Sequence, residues 1–174
     1  MKISETLLPE FDQEMATTRR LLERVPEDKL GWKPHEKSMT LGRLAGHVGE
    51  IPGYGVATMN MDSLDVNPIG GRPYEPLMAT SRAQLLAAFD RNVVAGRAAI
   101  AAGSDEAMAE TWSLLAAGNP IFEMPRVAVL RVLVMNHLIH HRGQLSVYLR
   151  QTGALVPSIY GPSADEGQMG ASAA

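Results

Sequence analysis

Apolar side chains recur every three or four residues near the start of the chain, which is the spacing that lines one face of an α-helix. The residues that carry this pattern, with one threonine among them, are Leu8, Phe11, Met15, Thr18, Leu22 and Val25. The pattern predicts a first helix from about Glu5 to Arg24. Pro26 ends it, because a proline disfavours helical backbone in the residue before it. Residues 26–39 combine charges with glycine and proline, so they predict a connecting loop.

A second amphipathic stretch follows Thr40, whose hydroxyl is suited to cap the N-terminus of a helix. Its apolar stripe is formed by Leu41, Leu44, Val48 and Ile51. The same segment contains Gly42, Gly46 and Gly49. Each glycine lowers the intrinsic stability of the helix by about 1 kcal/mol relative to alanine, and each allows neighbouring backbone to come close. Pro52 is expected to kink or end this helix, since the apolar pattern beyond it, as far as Met61, is weaker.

Residues 62–80 contain three prolines and two glycines, which predicts a long loop, and such a loop is uncommon without a functional role. Ser81 is a candidate N-cap for a third helix that ends near Gly103. The apolar residues of that helix are Leu85, Leu86, Phe89, Val93 and Ile100. The segment from Thr111 to Met124 predicts a small β-hairpin with Gly118-Asn119 as its turn.

A fourth helix is predicted to begin at Pro125, to run to about Thr152 and to be closed by Gly153. From Pro157 the chain shows no periodicity, so the tail 157–174 is expected to be partly loose, towards its end. Four principal helices in a single domain, residues 1–174, predict an all-α four-helix bundle with the small hairpin between the third and fourth helices. Metal and cofactor sites in such bundles are built from side chains on facing helices.

Composition narrows the classes of function. The chain has 45% hydrophobic and 20% charged residues, which is typical of a globular protein. Its net charge of −3 comes without a basic run, so nucleic acids and anionic membranes are disfavoured as partners. No apolar run approaches the roughly 20 residues of a membrane span, and the N-terminus lacks the apolar segment of a signal peptide, so a cytoplasmic protein is expected. Without cysteine, the protein can offer a metal only imidazole, carboxylate or carbonyl ligands.

Three of the five histidines lie in one five-residue stretch, residues 137–141, of the predicted fourth helix. Each residue of a helix advances about 100°, and the apolar residues of this segment fall in one arc of roughly 100°. His141 lies inside that arc and His137 at its edge, whereas His140 lies roughly 100° round from His141. Because residues four apart share a face, His137 and His141 are the pair predicted to bind a metal ion. The alternative is that both are hydrogen-bonded structural residues at the edge of the core.

A two-histidine site needs a further protein ligand, since catalytic zinc sites typically use three. On the helical projection, His47 lies roughly 40–60° to one side of the apolar stripe of the second helix, and His137 lies in a similar position beside the stripe of the fourth. If these two helices are neighbours, the three imidazoles converge. Otherwise His47 bonds a backbone carbonyl at a helix contact. Glu50 lies one turn after His47 and is a further candidate for the site. It could be a fourth ligand, the partner that orients an imidazole, or a catalytic general base. The alternative is that Glu50 is a solvated surface carboxylate. His35 lies in the charged loop and is expected to be solvated.

Four motifs, taken in order, resemble the DinB/YfiT-like family of metalloenzymes over nearly the whole chain. They are Leu30-Gly31-Trp32-Lys33-Pro34, Leu44-Ala45-Gly46-His47, the segment from His137 to Gln144 and the segment from Val156 to Glu166. The resemblance implies a four-helix bundle with a divalent metal ion, often zinc or nickel, on three histidines. By motif these are His47, His137 and His141. Relatives in the wider superfamily include thiol S-transferases that use bacillithiol, mycothiol or glutathione, and the family commonly forms homodimers through helix packing.

The leading hypothesis is therefore a divalent-metal-dependent enzyme, a thiol S-transferase or a hydrolase, that acts on a small molecule at an open coordination position. The competing hypothesis is a non-catalytic metal- or ligand-binding, stress-related helical protein, which a closed coordination sphere including Glu50 would favour. A purely structural helical dimer without metal is the third possibility.

Four more polar residues near the motifs are interpreted as follows. Gln144 and Asn136 are expected either to hydrogen-bond the imidazoles or to form polar surface. Arg142 lies off the predicted buried arc, so a surface or helix-to-tail salt bridge is expected. Tyr160, in the tail motif, is expected to pack over the pocket or across a dimer.

Overall fold

The computed structural model describes residues 2–72 and 74–167, which are mostly helical and include one small sheet. The helices are α1 (Ile3–Leu22), α2 (Leu41–Glu50), α3 (Tyr54–Asn60), α4 (Arg82–Ala102), α5 (Asp105–Ala109), α6 (Arg126–Val129) and α7 (His137–Gln151). The strands are β1 (Ser63–Asp65), β2 (Thr111–Ala116) and β3 (Asn119–Pro125). The all-α prediction thus needs the addition of a three-stranded sheet, and the count of four helices is not confirmed. None of the described helices is both long and apolar enough to cross a membrane.

Local capping chemistry places several helix ends close to their predicted positions. The Thr40 hydroxyl accepts a hydrogen bond from the backbone amide of Arg43 at 3.2 Å, and the Ser81 hydroxyl accepts one from Gln84 at 3.1 Å. Both are N-caps, as predicted. Gly153 follows α7 with a φ of 80°, the left-handed conformation that commonly closes a helix.

Two of the predicted helices are interrupted. A 3₁₀ turn, Ile51–Gly53, joins α2 to α3, so the kink predicted at Pro52 is confirmed. In the fourth helix, residues Leu130–Asn136 form a π-helical segment between α6 and α7. The π segment was not predicted, because the spacing of apolar residues does not show whether a backbone amide bonds the carbonyl four or five residues earlier.

The predicted hairpin is present between α5 and α6. Its turn consists of Ala117 and Gly118, whose φ angles of 52° and 76° suit a type I′ turn. The predicted turn is therefore displaced by one residue, because Asn119 already pairs with Ala116. Within the predicted loop 62–80, β1 adds a third strand that runs parallel to β2.

The main core lies between α1, α2, α4 and α7. Helix α4 contacts both α1 and α2, and α7 contacts the same two helices. Fully buried side chains from all four helices meet there, among them Phe11, Leu44, Phe89, Leu138 and Leu145. The contact between α2 and α7 brings together the two segments that carry the candidate metal ligands.

The described part of the tail lies against α1 and α7. An ion pair joins Glu166 to Arg20, and another joins Asp165 to Arg150. The predicted loose end falls on residues 168–174, which lie outside the described residues. The residues before them are held to the helices by these charges.

Candidate metal centre

Three imidazoles meet where α2 packs against α7. His47 lies near the end of α2, and His137 and His141 lie one turn apart in α7. One ring nitrogen of each lies within 4.8 Å of the others, and Nε2 of His47 is 3.2 Å from Nε2 of His137. Tetrahedral ligands bonded at about 2.0–2.1 Å to zinc are themselves roughly 3.4 Å apart. The three side chains could therefore hold one cation after small rotations.

The Nδ1 atom of each imidazole faces a hydrogen-bond acceptor. The pairs are His47 Nδ1 with Glu50 Oε2 at 3.4 Å, His137 Nδ1 with the Leu133 carbonyl oxygen at 3.2 Å, and His141 Nδ1 with Gln144 Oε1 at 2.8 Å. These acceptors assign the proton to Nδ1 and leave Nε2 with a free lone pair. The lone pairs of His47 and His137 then face each other at 3.2 Å. Such an arrangement is repulsive unless a cation or a shared proton lies between them.

The π-helical segment provides the acceptor for His137. In an α-helix the backbone amide of His137 would donate to the carbonyl of Leu133, four residues earlier. Here that amide donates to the carbonyls of Val132 and Val134 instead. The Leu133 carbonyl oxygen accepts from the imidazole, and this contact orients the ring. No side-chain type in the sequence indicates a backbone acceptor, so this partner was missed.

Glu50 is largely buried and its carboxylate is held on both sides. Oε2 accepts from the Arg43 guanidinium at 3.1 Å and faces His47 Nδ1, while Oε1 accepts from the backbone amide of Leu77. Burial disfavours the charged form, but interactions with His47, the Tyr74 hydroxyl, the Leu77 amide and the charge of Arg43 outweigh it and hold the pKa of Glu50 below its ordinary value. Of the roles considered for Glu50, orienting His47 is the one that matches these contacts.

Burial also determines the charge of the imidazoles in α7. It lowers the pKa of His137, and the neighbouring His47 lowers it further. Burial lowers the pKa of His141 to about 4, although the hydrogen bond with Gln144 opposes the shift. Both rings are therefore neutral at pH 7, which is the form that binds a metal.

The other polar candidates lie outside the cluster. His140 is exposed, and its Nε2 is 3.1 Å from the Gln144 side-chain nitrogen. His35 is exposed in its loop, as expected. Asn136 is exposed, and within the described part of the chain its side chain makes no hydrogen bond to an imidazole. Gln144 is thus the one of the two amide candidates that contacts a clustered histidine.

Arg142 is buried, which contradicts the prediction that it lies off the buried face. Its side chain is 1% exposed, pairs with Glu14 of α1 at 2.6 Å and donates to the Tyr160 hydroxyl at 2.7 Å. The position is only roughly 20° beyond the predicted arc, and α1 covers that side of α7. The surface alternative is wrong, whereas a link between helix and tail is present. Tyr160 consequently contacts this ion pair and does not line the cavity described next.

A cavity of about 340 Å³ adjoins the histidine cluster, and His137 forms part of its wall. The ring of Tyr54 also lines it and lies nearly parallel to the His137 ring, at 11° with the centroids 6.3 Å apart. Tyr74 and several aliphatic side chains complete most of the wall. The volume is within the range of roughly 300–1,000 Å³ that is usual for small-molecule sites. The sequence offered no local signal for either tyrosine, because they enter from α3 and from the long loop.

Comparisons with known proteins agree with this architecture. The model of the DinB family matches residues 1–172. The uncharacterized protein YrdA of Bacillus subtilis (strain 168) is 29% identical over 163 residues, which cover 91% of this chain and 89% of YrdA. The crystal structure of a DinB-like protein from Bacillus cereus ATCC 10987 has a TM-score of 0.68 at 23% identity, with 90% of this chain and 97% of that chain covered. The DinB-like protein YjoA of Bacillus subtilis has a TM-score of 0.67 at 19% identity, with 90% and 98% covered.

Proposed function

The chain belongs to the DinB family, and we propose that it is a divalent-metal-dependent enzyme that acts on a small molecule. The observation that supports this proposal is the meeting of three imidazole nitrogens from α2 and α7 within 4.8 Å of one another. His47, His137 and His141 would hold the ion, and an all-imidazole set suits zinc or nickel. When bound, such an ion supplies a Lewis acid that lowers the pKa of a water molecule or a thiol.

The contacts of Glu50 favour an open site over a closed one. Three protein ligands leave a fourth coordination position for water, thiol or substrate. Glu50 faces Nδ1 of His47, on the far side of the ring from Nε2, and its oxygens already accept from Arg43 and from the Leu77 amide. It is therefore poorly placed as a fourth ligand or as a base, so the non-catalytic metal protein is the weaker alternative.

Side chains of this chain prepare the site around that position. Glu50, the Leu133 carbonyl and Gln144 hold the three rings through Nδ1. Burial raises the pKa of the Tyr54 hydroxyl, and burial together with Glu50 raises the pKa of the Tyr74 hydroxyl. Both hydroxyls remain protonated at neutral pH. The Tyr74 hydroxyl interacts with Glu50, and the Tyr54 hydroxyl can donate a hydrogen bond to a substrate oxygen in the adjoining cavity.

Two reactions suit this arrangement. In thiol transfer, a carbon–sulfur bond forms at an electrophilic carbon, the bond to the leaving group breaks, and the thiol proton passes to solvent. In hydrolysis, the oxygen of a water molecule forms a bond to the electrophilic carbon, the bond to the leaving group breaks, and one proton of that water passes to the leaving group. The chain contains no cysteine, so in the first reaction the thiol is a separate small-molecule cosubstrate.

Metal analysis of point variants tests the ligand set. Untagged wild-type protein is expected to contain stoichiometric zinc or nickel by elemental analysis. His47→Ala, His137→Ala and His141→Ala should each lose it, because two imidazoles alone bind a divalent ion weakly. His140→Ala and Glu50→Gln should retain it, since neither residue is a proposed ligand.

Circular dichroism of each variant separates loss of the ligand from loss of the fold. Loss of metal in the His140→Ala variant equal to that in the other histidine variants would contradict the proposed ligand set. Metal-loaded protein is then assayed for conjugation of electrophiles with bacillithiol, mycothiol or glutathione and for ester hydrolysis, with the His137→Ala variant as the control. Full metal content with no rate above that control would favour the non-catalytic alternative.

A further inference from the structure

The wall of the cavity beside His137 is mostly aliphatic and aromatic carbon. Leu64 of β1 and Leu114 of β2 are paired in the sheet, and both line the cavity. Leu133 lines it from the π segment, and the rings of Tyr54 and Tyr74 line it from α3 and the long loop. Binding of an apolar ligand to such a wall is favourable, because apolar carbon on both sides is removed from water. Binding of an ion is unfavourable, because the wall does not replace its hydration shell.

The two charged residues of the wall, Asp65 and Arg72, already have partners within the protein. The carboxylate of Asp65 accepts hydrogen bonds from three backbone amides, those of Asn67, Ala117 and Gly118. Arg72 pairs with Glu75 at 2.9 Å, and its side chain is 81% exposed to solvent. The charges of Asp65 and Arg72 are opposite in sign, so together they do not favour an anionic or a cationic ligand.

The volume of the cavity indicates the size of its ligand. An apolar cavity of about 150 Å³ binds benzene. The cavity beside His137 is about 340 Å³, which is roughly twice as large. It therefore has room for a molecule of two fused rings.

We propose that this cavity binds an uncharged aromatic molecule of two-ring size, with one edge against His137. The rings of Tyr54 and Tyr74 offer aromatic contacts, and the Tyr54 hydroxyl can donate to an oxygen substituent of the ligand. The aliphatic side chains of Leu64, Leu114 and Leu133 cover the rest of the ligand. That this ligand is the substrate rests on the proposed function. That the ligand binds in the cavity does not depend on any reaction.

Calorimetric titration with 2-naphthol and with naphthalene-2-sulfonate tests the proposal. We expect 2-naphthol to bind the wild-type protein about tenfold or more tightly than the sulfonate, because the two ligands share a ring system and differ in charge. Leu114→Trp should weaken 2-naphthol binding by about tenfold or more, since the indole fills the cavity.

Val66→Trp, at a half-exposed position of the wall, is a second variant that fills the cavity, and it tests the proposal if Leu114→Trp does not fold. Leu155→Trp, exposed and outside the cavity, is the matched control and should bind as the wild type does.

The His47→Ala variant separates this proposal from the proposed function. Its ring does not line the cavity, so 2-naphthol should bind this variant within about threefold of the wild-type affinity even though metal is lost. Wild-type affinity in a folded Val66→Trp variant, or tighter binding of the sulfonate, would overturn the aromatic, uncharged assignment while leaving the metal site untouched. Absence of metal from the wild-type protein would instead contradict the proposed function and leave the cavity proposal standing.

Discussion

Arg142 and Glu14 form an ion pair that is almost fully withdrawn from solvent, with side chains 1% and 7% exposed. Removing two charges from water is costly, and the surrounding hydrogen bonds offset that cost. Arg142 also donates to the Glu14 carbonyl oxygen at 3.2 Å and to the Thr18 hydroxyl at 3.3 Å, and the Tyr160 hydroxyl donates to the Glu14 carboxylate at 2.9 Å. The pair therefore joins α1, α7 and the tail.

Breaking this pair from one side should be strongly destabilising. Arg142→Met leaves the Glu14 carboxylate buried without its partner, so the free energy of unfolding should fall by about 3–5 kcal/mol in urea denaturation. The double variant Arg142→Met/Glu14→Met should lose clearly less than the sum of the two single variants. Arg97→Met, which breaks the half-exposed pair between Arg97 and Asp12 of α1, is the control and should have a much smaller effect. Equal losses at Arg142 and Arg97 would show that burial of the charge does not matter here.

At the scale of elements, the glycines of α2 allow this helix to lie directly on backbone of its own chain. A Cβ atom at Gly46 would overlap the carbonyl oxygen of Leu77, and one at Gly42 would lie 3.1 Å from the carbonyl oxygen of Ala79. The close approach expected of these residues is thus confirmed. The same backbone segment donates the Leu77 amide to Glu50, so helix packing and the metal centre depend on each other. A homodimer stays a prediction, and it would need a surface other than this glycine face.

Alanine substitutions distinguish this packing role from helix propensity. Gly46→Ala should lower the free energy of unfolding by about 1–3 kcal/mol, because the added methyl group meets rigid backbone. Gly143→Ala, in α7, meets no atom within 4 Å and is the matched control. It should raise stability by up to about 1 kcal/mol through helix propensity. Urea denaturation measures both variants, and a stabilising Gly46→Ala would contradict the close approach.

At the scale of the whole molecule, the tail closes over the ends of α1 and α7 through ionised carboxylates. The hydrogen bond from Arg150 and that from the Val156 amide lower the pKa of Asp165. The Ser158 amide and Arg20 lower the pKa of Glu166. A carboxyl group whose pKa is lowered by folding stabilises the folded state above its unfolded pKa. That stabilisation is lost as the pH falls through the folded pKa.

The tail contacts should therefore have a defined pH dependence. The double variant Asp165→Asn/Glu166→Gln should be less stable than the wild type at pH 7, and this difference should shrink as the pH falls below about 4. Urea denaturation at a series of pH values measures it. Asp28→Asn, at a carboxylate 73% exposed in the short 3₁₀ helix Glu27–Lys29, is the control and should show little difference from the wild type at any pH. A difference that stays constant down to pH 2 would mean that the tail is held by contacts other than these charges.

Several features of the fold could be predicted because their causes are local. Thr40 and Ser81 cap the helices they were expected to cap, and Pro52 interrupts the second helix where its ring prevents regular hydrogen bonding. The angular position of His137 relative to His141 depends only on helix geometry, so the pair and the exclusion of His140 could be inferred before any contact was known. The turn at Ala117 was missed by one residue, because its register depends on which residues of β2 and β3 pair.

By itself, the amino-acid sequence determined the ends of α1, α2 and α4 to within about two residues, and which histidines share a face, because spacing, caps and prolines act within one or two turns. Only the tertiary structure decided that α2 lies beside α7, that Arg142 is buried against Glu14, that the Leu133 carbonyl orients His137, and that Tyr54 and Tyr74 wall a cavity next to it. Each of these depends on a partner distant in the chain or on a backbone group without a side-chain signal. The free energy of such contacts is set by packing and desolvation in the folded molecule.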